Sequence, residues 1–388
     1  MIQKVVMGTR LPAKLWLNEV EDSCMEQIIN LASLPYAFKH IAIMPDAHTG
    51  KGMPIGGVLA TKGVVIPNAV GVDIGCGMCA VKTDIKSNDL SREEITSVMS
   101  YIREVVPLGF DHRETPLDES ELPKLNLEDL PYLRDKKMSI LKQLGTLGGG
   151  NHFIEIQKDT STDDVWIMVH SGSRNIGYRV AEHYNKLAKF WCEKWYADTL
   201  PNLEFLPIET QMAKDYLKEM EYCKELAFAN RRIMVHAVME GFQAIRPNIK
   251  FEPMINIAHN YAAWEEHFGE HVIVHRKGAT RAFKGEIGII PGSMGAHSYI
   301  VEGLGNPESF MSCSHGAGRK LSRTSALRQL SLENEQSIMD KLGVIHGLRK
   351  KGLDEAPGAY KDIDEVMALQ QDLVKPIVQL LPLAVIKG

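Results

Sequence analysis

Short apolar runs broken by glycine and proline dominate residues 1–85: IAIM at 41–44 and GGVLATKGVVIP at 56–67 predict strands and turns. The pattern then changes. Ser91 and Glu94 form an S-x-x-E capping box that predicts a helix over about 92–105. A polar, proline-containing stretch over about 108–137 predicts a loop or surface insertion. Beyond it, VWIMVH (165–170), VIVH (272–275) and IGII (287–290) predict buried strands. Residues 178–196 and 209–245 place apolar positions at helical spacing, the second without an internal proline. No tandem repeat, low-complexity tract or Gly/Ser-rich linker divides the chain. The expectation is one large mixed α/β (α+β) domain over 1–388, with mixed sheets, flanking helices and a helical excursion at about 178–245.

Composition narrows the class. Of the 388 residues, 44% are hydrophobic and 24% charged, an ordinary balance for a globular chain with a sizeable core. No run of about 20 apolar residues predicts a membrane span, and the first residues, MIQKVVMGTRLPAKLW, lack the apolar stretch of a secretory signal. The six cysteines are sparse and scattered, which predicts reduced thiols and a cytoplasmic protein. The net charge of -5 gives no global basic footprint, so a nucleic-acid substrate requires cations gathered locally.

Five glycine-rich strings carry the candidate chemistry. In GVDIGCGM (71–78), Asp73 and Cys76 stand three apart among glycines that allow a tight turn, so a carboxylate and a thiolate can share one metal or a metal pair. A buried structural cysteine is the ordinary alternative, and Cys79 adds a C-x-x-C pairing as a third. In GTLGGGNHFIEI (145–156), a glycine-rich turn precedes Asn151, His152 and Glu155 and can offer backbone N–H groups to a phosphate; a plain turn into a strand fits equally. His170 ends an apolar strand in VHSGSRNIG, where a rigid ligand or a satisfied core histidine would both sit. His259 and Asn260 repeat the His/Asn pairing in NIAHNYAAWEEHFG. In SCSHGAGRKLSR, His315 is flanked by glycines and followed by Arg319, Lys320 and Arg323, a setting for nucleophilic attack on a phosphoryl group or for a polar loop. HRKGATRAFKG (275–285) concentrates His275, Arg276, Lys277, Arg281 and Lys284 and predicts a local basic patch.

These strings, with IMPDAHTGKG (43–52), IIPGSMGA, AYKDIDEV (359–366) and VIKG (385–388), resemble in collinear order the RtcB family of RNA ligases, over essentially the whole chain. The resemblance implies an enzyme that joins an RNA 3′-phosphate or 2′,3′-cyclic phosphate end to a 5′-hydroxyl end, in tRNA splicing or RNA repair, with GTP and two manganese ions. It implies Asp73, Cys76 and His152 for one ion and Cys76, His170 and His259 for the other. It implies His315 as the nucleophile that carries GMP. Guanine-nucleotide contacts are implied at Asn151, His152, Phe153, Ile154 and Glu155, at His259 and Asn260, at Pro291, Gly292, Ser293, Met294 and Ser298, at His315, Gly316, Ala317 and Gly318, and at Tyr360 and Lys387. One departure stands out: Asn175 follows Arg174 where the family usually has glycine, which is expected to alter a turn needing positive φ. A metal-dependent phosphoesterase, an RNA-repair paralogue and a non-catalytic binding protein are the alternatives. Nothing in the chain points to a membrane or to a particular helper protein.

Overall fold

The computed structural model describes residues 1–388. Two large sheets organise the chain. A seven-stranded sheet, antiparallel throughout, runs Ile255–Ala258, Gly77–Lys86, Asp164–Ser171, Phe153–Asp159, Val374–Lys387, Ser298–Gly303 and Ile287–Ile290. A six-stranded mixed sheet runs Lys4–Val6, Ala13–Leu15, Ala37–His48, Ile55–Thr61, Glu270–Lys277 and Asn260–His267, with one parallel pair, Ala13–Leu15 on Ala37–His48. The expected mixture of helices and sheets holds.

Strand period two explains the layers. In Asp164–Ser171 every residue is buried. Val165, Ile167 and Val169 face a core with Ile154 and Ile156, while Trp166 and Met168 face another with Met78 and Ala80. The first face is covered by the helix Arg92–Val105, through Ile95, Val98, Met99 and Ile102, and by Met234, Val235, Val238 and Phe242 of the helix Gln211–Ile245. Both capping-box bonds of Ser91 and Glu94 are present. Truncating Ile167 or Val238 to Ala removes contacts at that interface and costs about 2–4 kcal/mol.

Three expectations need correction. The helices Arg174–Lys194 and Gln211–Ile245 are no excursion. Buried residues recur at 213, 216, 220, 223, 227, 230, 231, 234, 235, 238 and 242, a stripe that lies against both the sheet and its turns. The 108–137 segment is more than a surface loop: Leu130 and Leu133 are buried in the same cluster as Tyr184 and Tyr216, and the buried Glu219 accepts from the N–H groups of Tyr132 (2.6 Å) and Leu133 (3.2 Å). Residues 1–85 also hold a helix, Asp22–Ser33, whose Cys24, Ile28, Leu31 and Ala32 pack on Ile41, Ile43 and Leu59. Its i, i+4, i+7, i+8 spacing was readable but was overshadowed by the neighbouring strand runs.

The two sheets share an apolar core, in which Met44, Val58 and Val274 pack with Ile290, Tyr299 and Val301, and one chain crossing joins them at the site. Strand Ile255–Ala258 belongs to the seven-stranded sheet and Asn260–His267 to the six-stranded one, so the chain changes sheet at His259.

Candidate metal and nucleotide site

Cys76 sits where the 71–76 turn enters the strand Gly77–Lys86. Gly75 adopts φ +75, and a Cβ there would stand 2.7 Å from the Lys224 Cα, so glycine lets the long helix press on the turn. The Cys76 Sγ lies 3.4 Å from His152 Nε2 and 3.3 Å from His170 Nε2. His152 Nε2 is also 3.1 Å from Asp73 Oδ2. Two donor triads result, Asp73–Cys76–His152 and Cys76–His170–His259, with the ligand atoms of each within 4.8 Å of one another. Cys76 belongs to both. Cys79 points into the apolar core with Val81 and Ile154, which removes it from this site and removes the C-x-x-C reading.

Electrostatics favours a metal. His170 Nδ1 donates to the Asn151 carbonyl (3.0 Å), which leaves its Nε2 lone pair facing Cys76. Burial holds the His170 and His259 imidazoles well below their usual pKa, so both are neutral. Burial, reinforced by Asp73, pushes the Cys76 thiol well above its usual value. Burial also pushes Asp73 up, but its bond to His152 and the neighbouring charges outweigh this and hold it below the ordinary carboxylate range. Nδ1 of His152 and of His259 are buried without a partner. A thiol, three imidazoles and a carboxylate converging this way fit divalent cations, whose charge stabilises the thiolate.

The supports were hidden from sequence reasoning. Fully buried Arg231 donates to the carbonyls of Gly75 (2.9 Å) and Ser171 (2.8 Å) and to Asn256 Oδ1 (2.7 Å). Asn230, also fully buried, accepts from Gly145 N (2.7 Å) and Thr146 N and donates to the Gly172 carbonyl (3.0 Å). Together they fasten the turns carrying Asp73, Cys76, His152 and His170 to one helix. Polar residues inside the largely apolar stripe of that helix, Asn230 and Arg231 beside each other and Glu219 a few turns earlier, were the signal. Asn260 is a brace of the same kind: it donates to the Asp73 carbonyl (3.0 Å) and accepts from Gly278 N (2.7 Å).

A pocket opens beside this cluster, sharing His170. The His259 and His315 rings are 4.8 Å apart, so His315 stands at the junction. Its Nδ1 is 2.6 Å from Asp46 Oδ2, which also accepts from the backbone N–H groups of His315 (3.1 Å) and Gly316 (3.3 Å). Burial pushes the Asp46 carboxyl up; the facing His315, with Lys361 and His48, pulls it below the usual range. An ionised Asp46 therefore accepts a hydrogen bond from Nδ1–H of His315 and leaves Nε2 as the free lone pair.

Most of the implied nucleotide contacts line this pocket. Asn151, Phe153 and Glu155 form one wall, Pro291, Gly292, Ser293 and Met294 a second, and His315, Gly316, Ala317 and Gly318 a third, with Tyr360 and Lys387 completing it. Burial raises the Glu155 carboxyl to about 7. His152, His259 and Asn260 belong to the cluster side, and Ser298 lies behind the wall, where it accepts from Gly292 N (3.3 Å) and Gln157 (3.2 Å). Ile154 is a correction: it alternates with Phe153 and Glu155, so its side chain is fully buried in the opposite core. Sequence reasoning gave no role to Asp46, His48, Ile55 and Glu355, all at the site. Glu355 gathers Arg319 (3.2 Å), Arg323 (3.1 Å), Lys387 (3.7 Å) and the Tyr360 hydroxyl.

The expected basic patch at 275–285 is reduced to its second half, because His275, Arg276 and Lys277 are buried while Arg281 and Lys284 are exposed. His275 accepts from Ile66 N (3.0 Å) and donates to the Leu59 carbonyl (3.1 Å), and burial lowers it to about 4. Arg276 is fully buried against Glu265 (2.5 Å). Lys277 is lowered to about 7 by burial and donates to the Lys51 and Asn68 carbonyls. Arg281 pairs with Glu286 (2.6 Å). The strand Glu270–Lys277 is covered on both faces over 272–277, so His275, Arg276 and Lys277 are structural, and Arg319, Arg323 and Lys387 bring positive charge to the pocket. The Asn175 expectation also changes: the positive φ (61°) falls on Arg174, and Asn175 lies in the first turn of the helix Arg174–Lys194.

The fold and site define a two-sheet protein in which a Cys/His/Asp cluster able to hold metal, with Cys76 common to both triads, opens onto a histidine-bearing pocket. A family model described as tRNA-splicing ligase RtcB matches residues 27–138 and 125–388, and the chain belongs to the RtcB family. It is 43% identical, over 97% of both chains, to the RNA-splicing ligase RtcB of Escherichia coli K12. It is 32% identical to the tRNA-splicing ligase RtcB of Methanococcus maripaludis over 98% of this chain and 95% of that one. It is 34% identical to the tRNA-splicing ligase RtcB of Nanoarchaeum equitans over 95% and 92%. No helix is long and apolar enough to cross a membrane.

Proposed function

We propose that this protein is an RNA ligase that joins a 3′-phosphate or 2′,3′-cyclic phosphate end to a 5′-hydroxyl end, using GTP and two manganese ions, in tRNA splicing or RNA repair. One observation carries the reading. His315, with Nδ1 held by a buried carboxylate and Nε2 open, faces a pocket that adjoins a cluster of metal-ligand type. Family membership supports the rest.

Asp73, Cys76 and His152 would hold one ion, and Cys76, His170 and His259 the other. Bound there, divalent cations supply charge neutralisation for a triphosphate and Lewis-acid polarisation of its phosphoryl oxygens. His315 Nε2 attacks the α-phosphorus of GTP. The N–P bond forms, the α–β anhydride bond breaks, and pyrophosphate leaves with the electron pair. Asp46 fixes the tautomer needed and stabilises the positive charge that develops on the ring. Arg319 and Arg323 add cationic charge near the transferring group. Glu155, as a carboxylate, matches the N1–H and amino donors of guanine, which adenine lacks at N1. The guanylyl group then passes to the RNA 3′-phosphate, and the 5′-hydroxyl displaces GMP to form the phosphodiester. A cyclic phosphate is first opened by hydrolysis.

The test is incubation with radiolabelled GTP and Mn²⁺. The expected result is an acid-labile guanylyl–protein adduct in the wild type and none in His315→Ala. An adduct that survives in His315→Ala reassigns the nucleophile, and absence of any wild-type adduct across metals and pH rejects the mechanism.

A further inference from the structure

Asp46 orients two imidazoles at once. Its carboxylate holds His315 at 2.6 Å, and its backbone carbonyl accepts from Nδ1 of His48 at 3.1 Å. A carbonyl oxygen only accepts, so His48 carries its proton on Nδ1 and a lone pair on Nε2. Nε2 has no bonding partner within the protein, and His48 lines the same pocket as His315. Register places the two close together. His48 pairs with Ile55 across the antiparallel ladder, and Ile55 lies against Gly278. A Cβ on Gly278 (φ +60) would stand 3.1 Å from His315 Cε1. Burial, with His315 and Lys361 nearby, lowers His48 to about 4, so its Nε2 is unprotonated at neutral pH. Of the other acceptors of the pocket, His315 is the guanylyl carrier, Glu155 is bonded by Gln157 (2.6 Å), Glu355 by Arg319 and Arg323, and His170 faces the cluster.

The joining step needs such an acceptor, because the RNA 5′-hydroxyl must lose a proton as it attacks. We propose that His48 is the general base of that step, taking the 5′-hydroxyl proton on Nε2. This rests on the ligase reading above. The 5′-oxygen forms its bond to the activated 3′-phosphorus, and the bond from that phosphorus to the GMP oxygen breaks. GMP leaves with the electron pair, the proton resides on His48, and it returns to water when the products depart.

The experiment uses the full chain with Mn²⁺ and an RNA whose 3′-phosphate already carries guanylate. It compares two acceptor strands, one ending in a 5′-hydroxyl and one in a 5′-thiol. The thiol ionises near pH 8.5 and needs no base. In single-turnover assays, His48→Gln is expected to slow joining to the 5′-hydroxyl by roughly 10²–10⁴-fold. Joining to the 5′-thiol should fall less than about tenfold relative to wild type, and so should formation of the guanylyl adduct from GTP. The adduct rate also reports whether the variant is folded. Equal losses on both acceptors, joining to the hydroxyl within about tenfold of wild type, or an equally large loss of adduct formation would overturn the proposal. Failure of the wild type to form adduct or to join either strand rejects the ligase reading instead.

Discussion

Around Cys76, the groups that fix the ligands are buried polar side chains on one long helix: Arg231 and Asn230 grip the backbone of the turns at 75, 145–146 and 171–172. Around Tyr360, the pocket wall is held by long side chains converging on Glu355, two of them, Tyr360 and Lys387, only partly buried and one, Arg323, half exposed. The first region fixes positions through backbone bonds that cannot change without unpacking the core. The second uses rotatable side chains gathered on one buried carboxylate, of which only Arg323 is about half exposed. The first kind of construction suits the proposed shared metal ligands, and the second suits the proposed nucleotide pocket.

The largest expected break of this contrast is Cys76→Ala. Because Cys76 belongs to both triads, elemental analysis should find both ions lost, whereas His152→Ala and His259→Ala should each weaken one. Full metal occupancy in Cys76→Ala would remove the shared-ligand role. Next is Arg231→Met, which strands the carbonyls of Gly75 and Ser171 and is expected to lower unfolding free energy by about 3 kcal/mol. Denaturant titration together with Mn²⁺ titration checks it. Unchanged stability and metal affinity would make the helix a passenger rather than an anchor.

Two smaller effects sharpen the pocket side. Glu155 sits near pKa 7 because burial penalises its charged form. Guanine donors favour the carboxylate, so the bound pKa falls, GTP binding releases a proton, and affinity rises with pH until about 7 and then levels. The slope should approach tenfold per pH unit at most. Calorimetry in buffers of different ionisation enthalpy reads the proton directly, and a pH-independent affinity would place Glu155 away from the base. The smallest is Tyr360→Phe. It deletes one bond to Glu355 and should weaken GTP binding by about 1 kcal/mol, roughly fivefold, without moving the melting temperature. A large loss of stability there would mean that the pocket is as rigid as the metal cluster.

Much of the site was legible as strings. Cys76 and His152 each stand where a turn enters a strand, His170 near a strand end and His259 between two strands; such places hold a side chain rigidly yet let it reach a cleft. The errors have equally local causes. Ile154 lies inside a motif that contains both faces of a strand, and alternation excludes it. The cations at 275–277 look like a patch until the neighbouring strands Ile55–Thr61 and Asn260–His267 cover them. Asp46 sits in an apolar run far along the chain from its partner, with a separation of 269 residues.

The sequence by itself determined the two long helices, the capping box at Ser91 and the thiol, carboxylate and imidazoles proposed to bind metal and carry a phosphoryl group. Those properties are local, since they depend on side-chain chemistry and spacing along the chain. Only the tertiary structure decided that one chain crossing, at His259, joins two sheets at the site. It alone showed that Asp46 serves both His315 and His48, and that Arg231 lies beneath Cys76. These are pairings across dozens to hundreds of residues. They form because a buried donor or acceptor is costly until it meets its partner, and no pattern along one strand or helix records which partner that is.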